Sequence, residues 1–155
     1  MQPSSDNRFC YEYPRPAVSV DMVVLHQPAG KPAHVLLIER KNDPYSGCWA
    51  LPGGFLDLNE TLEEAAAREL HEETHLTCDL IKPIGAFSRV DRDPRGRVIS
   101  FAFLSVVDSS HAETVQAGDD AEKVKWFPID KLPELAFDHE DILNAGIEHF
   151  RESFL

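Results

Sequence analysis

The stretch that most constrains this chain runs from Gly54 to Leu76, GFLDLNETLEEAAARELHEETHL, in which a Gly-Gly turn feeds a helix carrying three glutamates. Thr61 followed by Glu64 forms a capping box ahead of an Ala- and Leu-rich run of high helix propensity, so the helix is expected to start near Thr61. Glu69, Glu72 and Glu73 stand at i, i+3 and i+4 and share one face. Like charges at that spacing cost a few tenths of a kcal/mol per pair in an isolated helix, which favours a cation over the cluster. On a wheel of about 100° per residue, Leu62, Ala66 and Leu70 form the buried stripe, and the carboxylates lie along one edge of it. Hard cations such as Mg²⁺ take oxygen ligands there, a few carboxylates plus substrate phosphates. A solvated acidic face would show the same spacing and stays open from spacing alone.

The stretch resembles the Nudix box, G-x5-E-x7-R-E-U-x-E-E-x-G-U with U aliphatic: Gly54, Glu60, Arg68, Glu69, Leu70, Glu72, Glu73 and Leu76 all fall in place. His75 stands where the family has its last glycine, a position that suits a helix C-cap with positive φ. The resemblance implies an α/β fold, a Nudix-type α/β/α sandwich with a mixed β-sheet, and Mg²⁺ or Mn²⁺ held by Glu69, Glu72 and Glu73. By the same analogy the Gly53 carbonyl is a further ligand, in the family's usual lead-in Trp49-Ala50-Leu51-Pro52-Gly53-Gly54. Glu60 and Arg68 read as helpers that orient the ligands. A rival motif overlaps the box. His71-Glu72-Glu73-Thr74-His75 also reads H-E-x-x-H, the zinc-protease signature. Both histidines lie roughly opposite the apolar stripe, on the side expected to face water, and the box accounts for more of the sequence.

At 155 residues the length suits one domain, divided here into an arm, 1–13, and a domain, 14–155. No apolar run approaches the roughly 18 residues of a membrane span, and the first dozen residues carry no secretory pattern, so the cytoplasm is the expected location. Cys10, Cys48 and Cys78 show no C-x-x-C spacing and read as free thiols. A net charge of −12 argues against nucleic acid as a partner. A phosphate-ester substrate would be repelled by so acidic a site unless metal ions neutralised both sides.

From Pro14, RPAVSVDMVVLHQ reads as a strand, and HVLLIE at 34–39 as a second that pairs with it as a hairpin, with His34 a surface residue and a polar loop following at Arg40 to Gly47. Cys78 to Ser88 and Val98 to Val107 read as two more strands. Between them, SRVDRDPRGR places Arg89, Arg92, Arg95 and Arg97 in nine residues. Guanidinium forks suit bidentate phosphate contacts, although a solvated hairpin loop balanced by Asp91 and Asp93 has the same composition. This segment, with YPRPAVSVD before the box and DDAEKVKWFPIDKLPELAFDH after it, is similar to the ADP-ribose pyrophosphatase branch of the family and its sensing relatives.

His111 to Ala121 reads as an acidic loop, Val124 to Phe127 as a short strand, and Asp141 to Phe154 as a helix packing on the sheet. The resemblance makes a carboxylate of that loop a general base or extra ligand, Glu122 first and Asp120 second; a merely soluble acidic loop is the alternative, and Glu69 itself is the other candidate base. His139 reads as a helix cap or a pocket residue. Together these imply hydrolysis of a nucleoside diphosphate linked to another moiety, ADP-ribose by the branch, in a protein expected to be a homodimer. A nucleoside triphosphate pyrophosphatase and a non-catalytic ADP-ribose or sugar sensor are the rival readings. The three intact carboxylates, and about 80 residues after the box with no room for a basic winged helix, speak against the sensor.

Overall fold

The computed structural model describes residues 11–79, 81–118 and 121–154. In chain order the elements are β1 (Ala17–His26), β2 (His34–Arg40), β3 (Trp49–Ala50), β4 (Gly53–Phe55), α1 (Leu62–Thr74), β5 (Lys82–Phe87), β6 (Val98–Val107), α2 (Ser109–Ala112), β7 (Ala121–Pro128) and α3 (His139–Phe154). All seven strands join one mixed sheet with path β3-β2-β1-β6-β5, β4 adding to β1 and β7 to β2. β1 lies parallel to β6 along its whole length, from Ala17 opposite Val98 to His26 opposite Val107.

Both faces of β1 are covered, which is why it reads as a nearly unbroken apolar run. Val20, Met22 and Val24 point to one side and pack with Ala65, Ala66 and Leu70 of α1. Val23 and Leu25 point to the other side and pack with Ile142, Leu143, Ile147 and Phe150 of α3. The expected α/β/α sandwich is therefore present, with the carboxylate helix and the C-terminal helix on opposite faces.

β1 and β2 form the expected hairpin, but they stay paired only at Leu25 opposite Val35 and His26 opposite His34. Beyond that point the strands splay. The segment 49–55 fills the split: β3 pairs with β2 through Ala50 and Ile38, and β4 pairs with β1 through Gly53 and Asp21. The sequence reads Gly53-Gly54 as a turn; instead residues 49–50 and 53–55 form two short strands that put both glycines in the fork.

Several bounds differ from expectation, that of β7 among them, which runs from Ala121 to Pro128 rather than from Val124 to Phe127. β5 starts at Lys82 rather than Cys78, because this edge strand pairs only with β6, between Lys82 opposite Leu104 and Phe87 opposite Ser100. His111 and Ala112, the first residues of the expected acidic loop, belong instead to a short helix, α2, capped by the Asp108 carboxylate accepting from the His111 N–H. α3 begins at His139, two residues early. Helix α1 starts as expected, with Thr61 and Glu64 exchanging both bonds of the capping box. It ends at His75, which adopts φ 58°, the left-handed conformation that glycine takes at lower cost. Cys48 and Cys78 are free, as expected. Among the described residues no helix is long and apolar enough to cross a membrane.

Candidate active site

α1 runs beside the fork with its acidic edge turned toward it. Glu73 is buried and its Oε2 accepts the Gly53 N–H at 2.9 Å. Gly54 pairs with Val20, so the N–H and C=O of Gly53 project from the opposite edge of β4, toward α1. A Cβ on Gly54 would lie 2.3 Å from Glu69 Oε1, so only glycine lets that carboxylate rest against the strand. Glu72, one turn on from Arg68, is half exposed.

Arg68 holds the acidic face together. Its guanidinium donates to Glu60 at 2.6 and 2.9 Å, to Glu69 at 2.8 Å, to Glu72 at 3.3 Å and to the Phe55 carbonyl at 3.1 Å. The two bonds from Arg68 to Glu60, together with one from the Asp57 N–H, bring the Glu60 carboxyl down to about 2. Glu69 moves the other way: burial raises its pKa, and Arg68 offsets only part of the effect. Glu60 and Arg68 are thereby locked together against the Glu69 carboxylate.

Glu69, Glu73, Gly53 and Gly54 form one wall of a cavity of about 400 Å³. Arg92 and Arg95, from the arginine-rich segment, also line it, whereas Arg89 and Arg97 do not. Arg92 is 4% exposed and makes a double bond set to Asp138, at 2.6 and 2.9 Å, so its fork is directed to a structural partner. Arg95 is likewise paired with Asp93, at 2.8 and 3.0 Å, but remains partly exposed and stacks near Phe55. Arg89 pairs with Asp91 in solvent, and Arg97 donates to the Ser88 and Arg89 carbonyls. Asp120 and the side chain of Glu122 lie outside the described residues; the backbone of Glu122 belongs to β7.

Four lining residues carried no role in the sequence reading or an undecided one. Asp21 is an acid inside the apolar run of β1, which is a sequence signal of a built polar site. It accepts from the Ser100 hydroxyl and lies 3.3 Å from His139 Nε2. His139 takes the pocket role, not the cap: its Nδ1 accepts the Leu51 N–H at 3.0 Å, and burial pushes its pKa down, keeping it neutral. Arg40 and Phe137 also face the cavity. No motif marks either of them.

The zinc-protease motif fares poorly. His71 and His75 are exposed, neither lines the cavity, and among the described residues no three His, Cys, Asp or Glu side chains group as a metal cage. A zinc centre needs at least three protein ligands. Mg²⁺ does not, because it keeps waters and takes substrate phosphate oxygens. Glu69 rests where the missing Gly54 Cβ leaves room and Glu73 rests on the Gly53 N–H, both hard oxygen donors of the kind such an ion takes.

Residues 15–146 match the model of the NUDIX domain. The chain belongs to the Nudix family. It is 47% identical over 131 residues to an ADP-ribose pyrophosphatase of Methanocaldococcus jannaschii, covering 84% of this chain and 73% of that one. It is 33% identical over 138 residues to an ADPR responsive transcriptional repressor of Acinetobacter baylyi, covering 87% of this chain and about half, 54%, of the repressor. Among solved structures, the NUDIX domain of Shewanella oneidensis NrtR complexed with ADP ribose superposes with a TM-score of 0.83 at 28% identity, covering 93% of this chain and 94% of that one. A MutT/nudix family protein of Enterococcus faecalis gives 0.84 at 33% identity, covering 94% and 66%. In this Nudix hydrolase the box therefore spans α1 and the preceding fork, and His75 takes the left-handed C-cap in place of the family's glycine without breaking the helix.

Proposed function

We propose that this Nudix hydrolase cleaves ADP-ribose with water to AMP and ribose 5-phosphate, using Mg²⁺ or Mn²⁺. The observation that carries the reading is one cavity with carboxylates of the box on one wall and arginines on another, the charge pattern for a metal-bound diphosphate. The 47% identical ADP-ribose pyrophosphatase supports the choice of substrate. Glu69 and Glu73 on the cavity wall, with the Gly53 carbonyl, would hold the metal, and Glu72, half exposed beside them, would turn in to complete the set on binding; the ion would supply charge neutralisation and a lowered pKa for the attacking water. The chain's residues do the rest. The Gly53 N–H fixes the Glu73 carboxylate, and Arg68 prevents the glutamates from swinging apart under mutual repulsion. Glu69, whose carboxylate lines the cavity beside Gly54, is the proton acceptor among the described residues. Glu122 is the second candidate and Asp120 the third. Arg95, still partly exposed, contacts the diphosphate.

A sensor that binds ADP-ribose without cleaving it is the second reading, favoured by the ADP-ribose complex of the Shewanella domain. Incubation with ADP-ribose and Mg²⁺, following AMP by chromatography with an EDTA control, separates the two. Metal-dependent AMP is expected. Intact ADP-ribose, with binding seen by titration calorimetry, would replace the hydrolase by the sensor.

A further inference from the structure

Glu72 and Glu73 stand on the last turn of α1, which ends at Thr74. That is a poor place for a precise pair of ligands, because the final carbonyls of a helix have no partner within it and the last turn frays. Here the partners come from a loop distant in sequence. The Gly118 N–H donates to the Glu73 carbonyl at 2.8 Å and the Gln116 N–H to the Thr74 carbonyl at 2.9 Å, while the His75 N–H donates to the His71 carbonyl at 2.8 Å. The loop that supplies the first two bonds is itself fixed. Val115 packs against the cluster that contains Ala66, Leu70 and Leu76, and the Trp126 indole donates to the Ala112 carbonyl at 3.1 Å. A Cβ on Gly118 would overlap the Glu72 carbonyl oxygen, and what it meets is backbone, not a side chain that can swing away. Only glycine lets the loop lie this close to the turn.

His75 completes the junction. Its backbone takes φ 58°, where a glycine would cost less. From that position the imidazole reaches the same loop, and its Nδ1 lies 3.1 Å from the Gln116 carbonyl. A carbonyl only accepts, so Nδ1 carries the proton. Gln116 is therefore held at both of its backbone polar groups, by its N–H on Thr74 and its C=O on His75. A glycine at position 75 would end the helix as well but has no atoms with which to make the second bond. The one residue that departs from the family's box thus ties the helix end to the loop.

We propose that His75 and Gly118 are positioning residues for the hydrolysis: they clasp the 115–118 loop onto the end of α1 and hold the turn that carries Glu72 and Glu73 in place beside the Gly53 fork. The effect on turnover rests on the hydrolase reading, whereas the clasp itself is read by amide exchange, so the two can fail separately. His75→Gly, His75→Asn and Gly118→Ala test it. Glycine and asparagine both tolerate the left-handed backbone, but only asparagine keeps a side-chain N–H for Gln116. His75→Gly should speed exchange of the Gln116 and Gly118 amides several-fold and lower kcat for ADP-ribose roughly fivefold, with KM and melting temperature close to wild type, and His75→Asn should restore both. Gly118→Ala should lower kcat on the order of a hundredfold. Wild-type exchange and kcat in His75→Gly overturn the proposal, as does a His75→Asn protein no better than His75→Gly, or full turnover in Gly118→Ala. A loss that falls on KM alone would assign the loop to substrate binding and also overturn it. A wild-type protein that leaves ADP-ribose intact removes the proposed activity; amide protection lost in His75→Gly and recovered in His75→Asn then leaves the clasp standing.

Discussion

Glu73 of α1 and Gly53 of β4 are joined by a 2.9 Å hydrogen bond from the glycine N–H to the carboxylate, which ties the acidic helix to the fork between β1 and β2. The bond explains how a buried glutamate is tolerated on this face: its charge is partnered by a backbone donor that the sheet leaves free. It also means that strand and helix position each other, so small changes in the fork should be read out in the chemistry.

Gly54→Ala is the direct test. The new Cβ would fall 2.3 Å from Glu69 Oε1, the far end of a flexible side chain, so Glu69 should swing away at little cost to the fold. Turnover is expected to drop on the order of a hundredfold with a melting temperature close to wild type. Unchanged turnover would show that Glu69 does not need that position.

Glu72 offers a cleaner separation of chemistry from stability. Its carboxylate is half exposed and touches Arg68 through one long bond of 3.3 Å. Glu72→Gln should therefore leave urea denaturation unchanged while lowering metal-dependent turnover on the order of a hundredfold. Full activity in that variant would remove Glu72 from the metal site.

Arg92 should behave in the opposite sense. With its side chain 3% exposed against a 4% exposed Asp138 side chain, Arg92→Ala leaves a buried carboxylate unpaired and is expected to cost about 3–5 kcal/mol of stability. Arg95→Ala, at a partly exposed pair, should cost little stability and raise KM instead. Denaturant titration beside steady-state kinetics distinguishes the two arginines.

Glu60 makes the acid limb of stability partly predictable. Its carboxyl lies at about 2 in the folded protein against an ordinary 4.5, lowered first by its hydrogen bonds from Arg68. The folded state holds fewer protons there than the unfolded state, so this contribution is complete above about pH 4.5 and is lost as pH falls toward 2. Thermal unfolding followed down that range should fall less steeply for Glu60→Gln than for wild type; parallel curves would refute the assignment.

The helix and its row of carboxylates were legible in the sequence because they rest on short-range rules. A capping box at Thr61 and Glu64, carboxylates at i, i+3 and i+4, and a left-handed terminus at His75 each depend on neighbours within a turn or two. The apolar run of β1 likewise announced a strand, and the packing of α1 and α3 showed that both its faces are covered. The arginine-rich segment was legible only as charge. Which of its four guanidinium groups would face the cavity and which would be bound to an aspartate depended on Asp138, 46 residues downstream of Arg92, coming within hydrogen-bond reach.

The sequence by itself determined the family's helix, its acidic edge and the strands around it. Tertiary structure alone decided the fork that opens between β1 and β2, the extended pairing of residues 49–55 inside it, and the meeting of Arg40 at the end of β2 with Phe137 just before α3. The physical reason is range: local periodicity and capping act through adjacent turns, whereas the partner of a buried charge is chosen among many candidates by the distances that the folded sheet imposes.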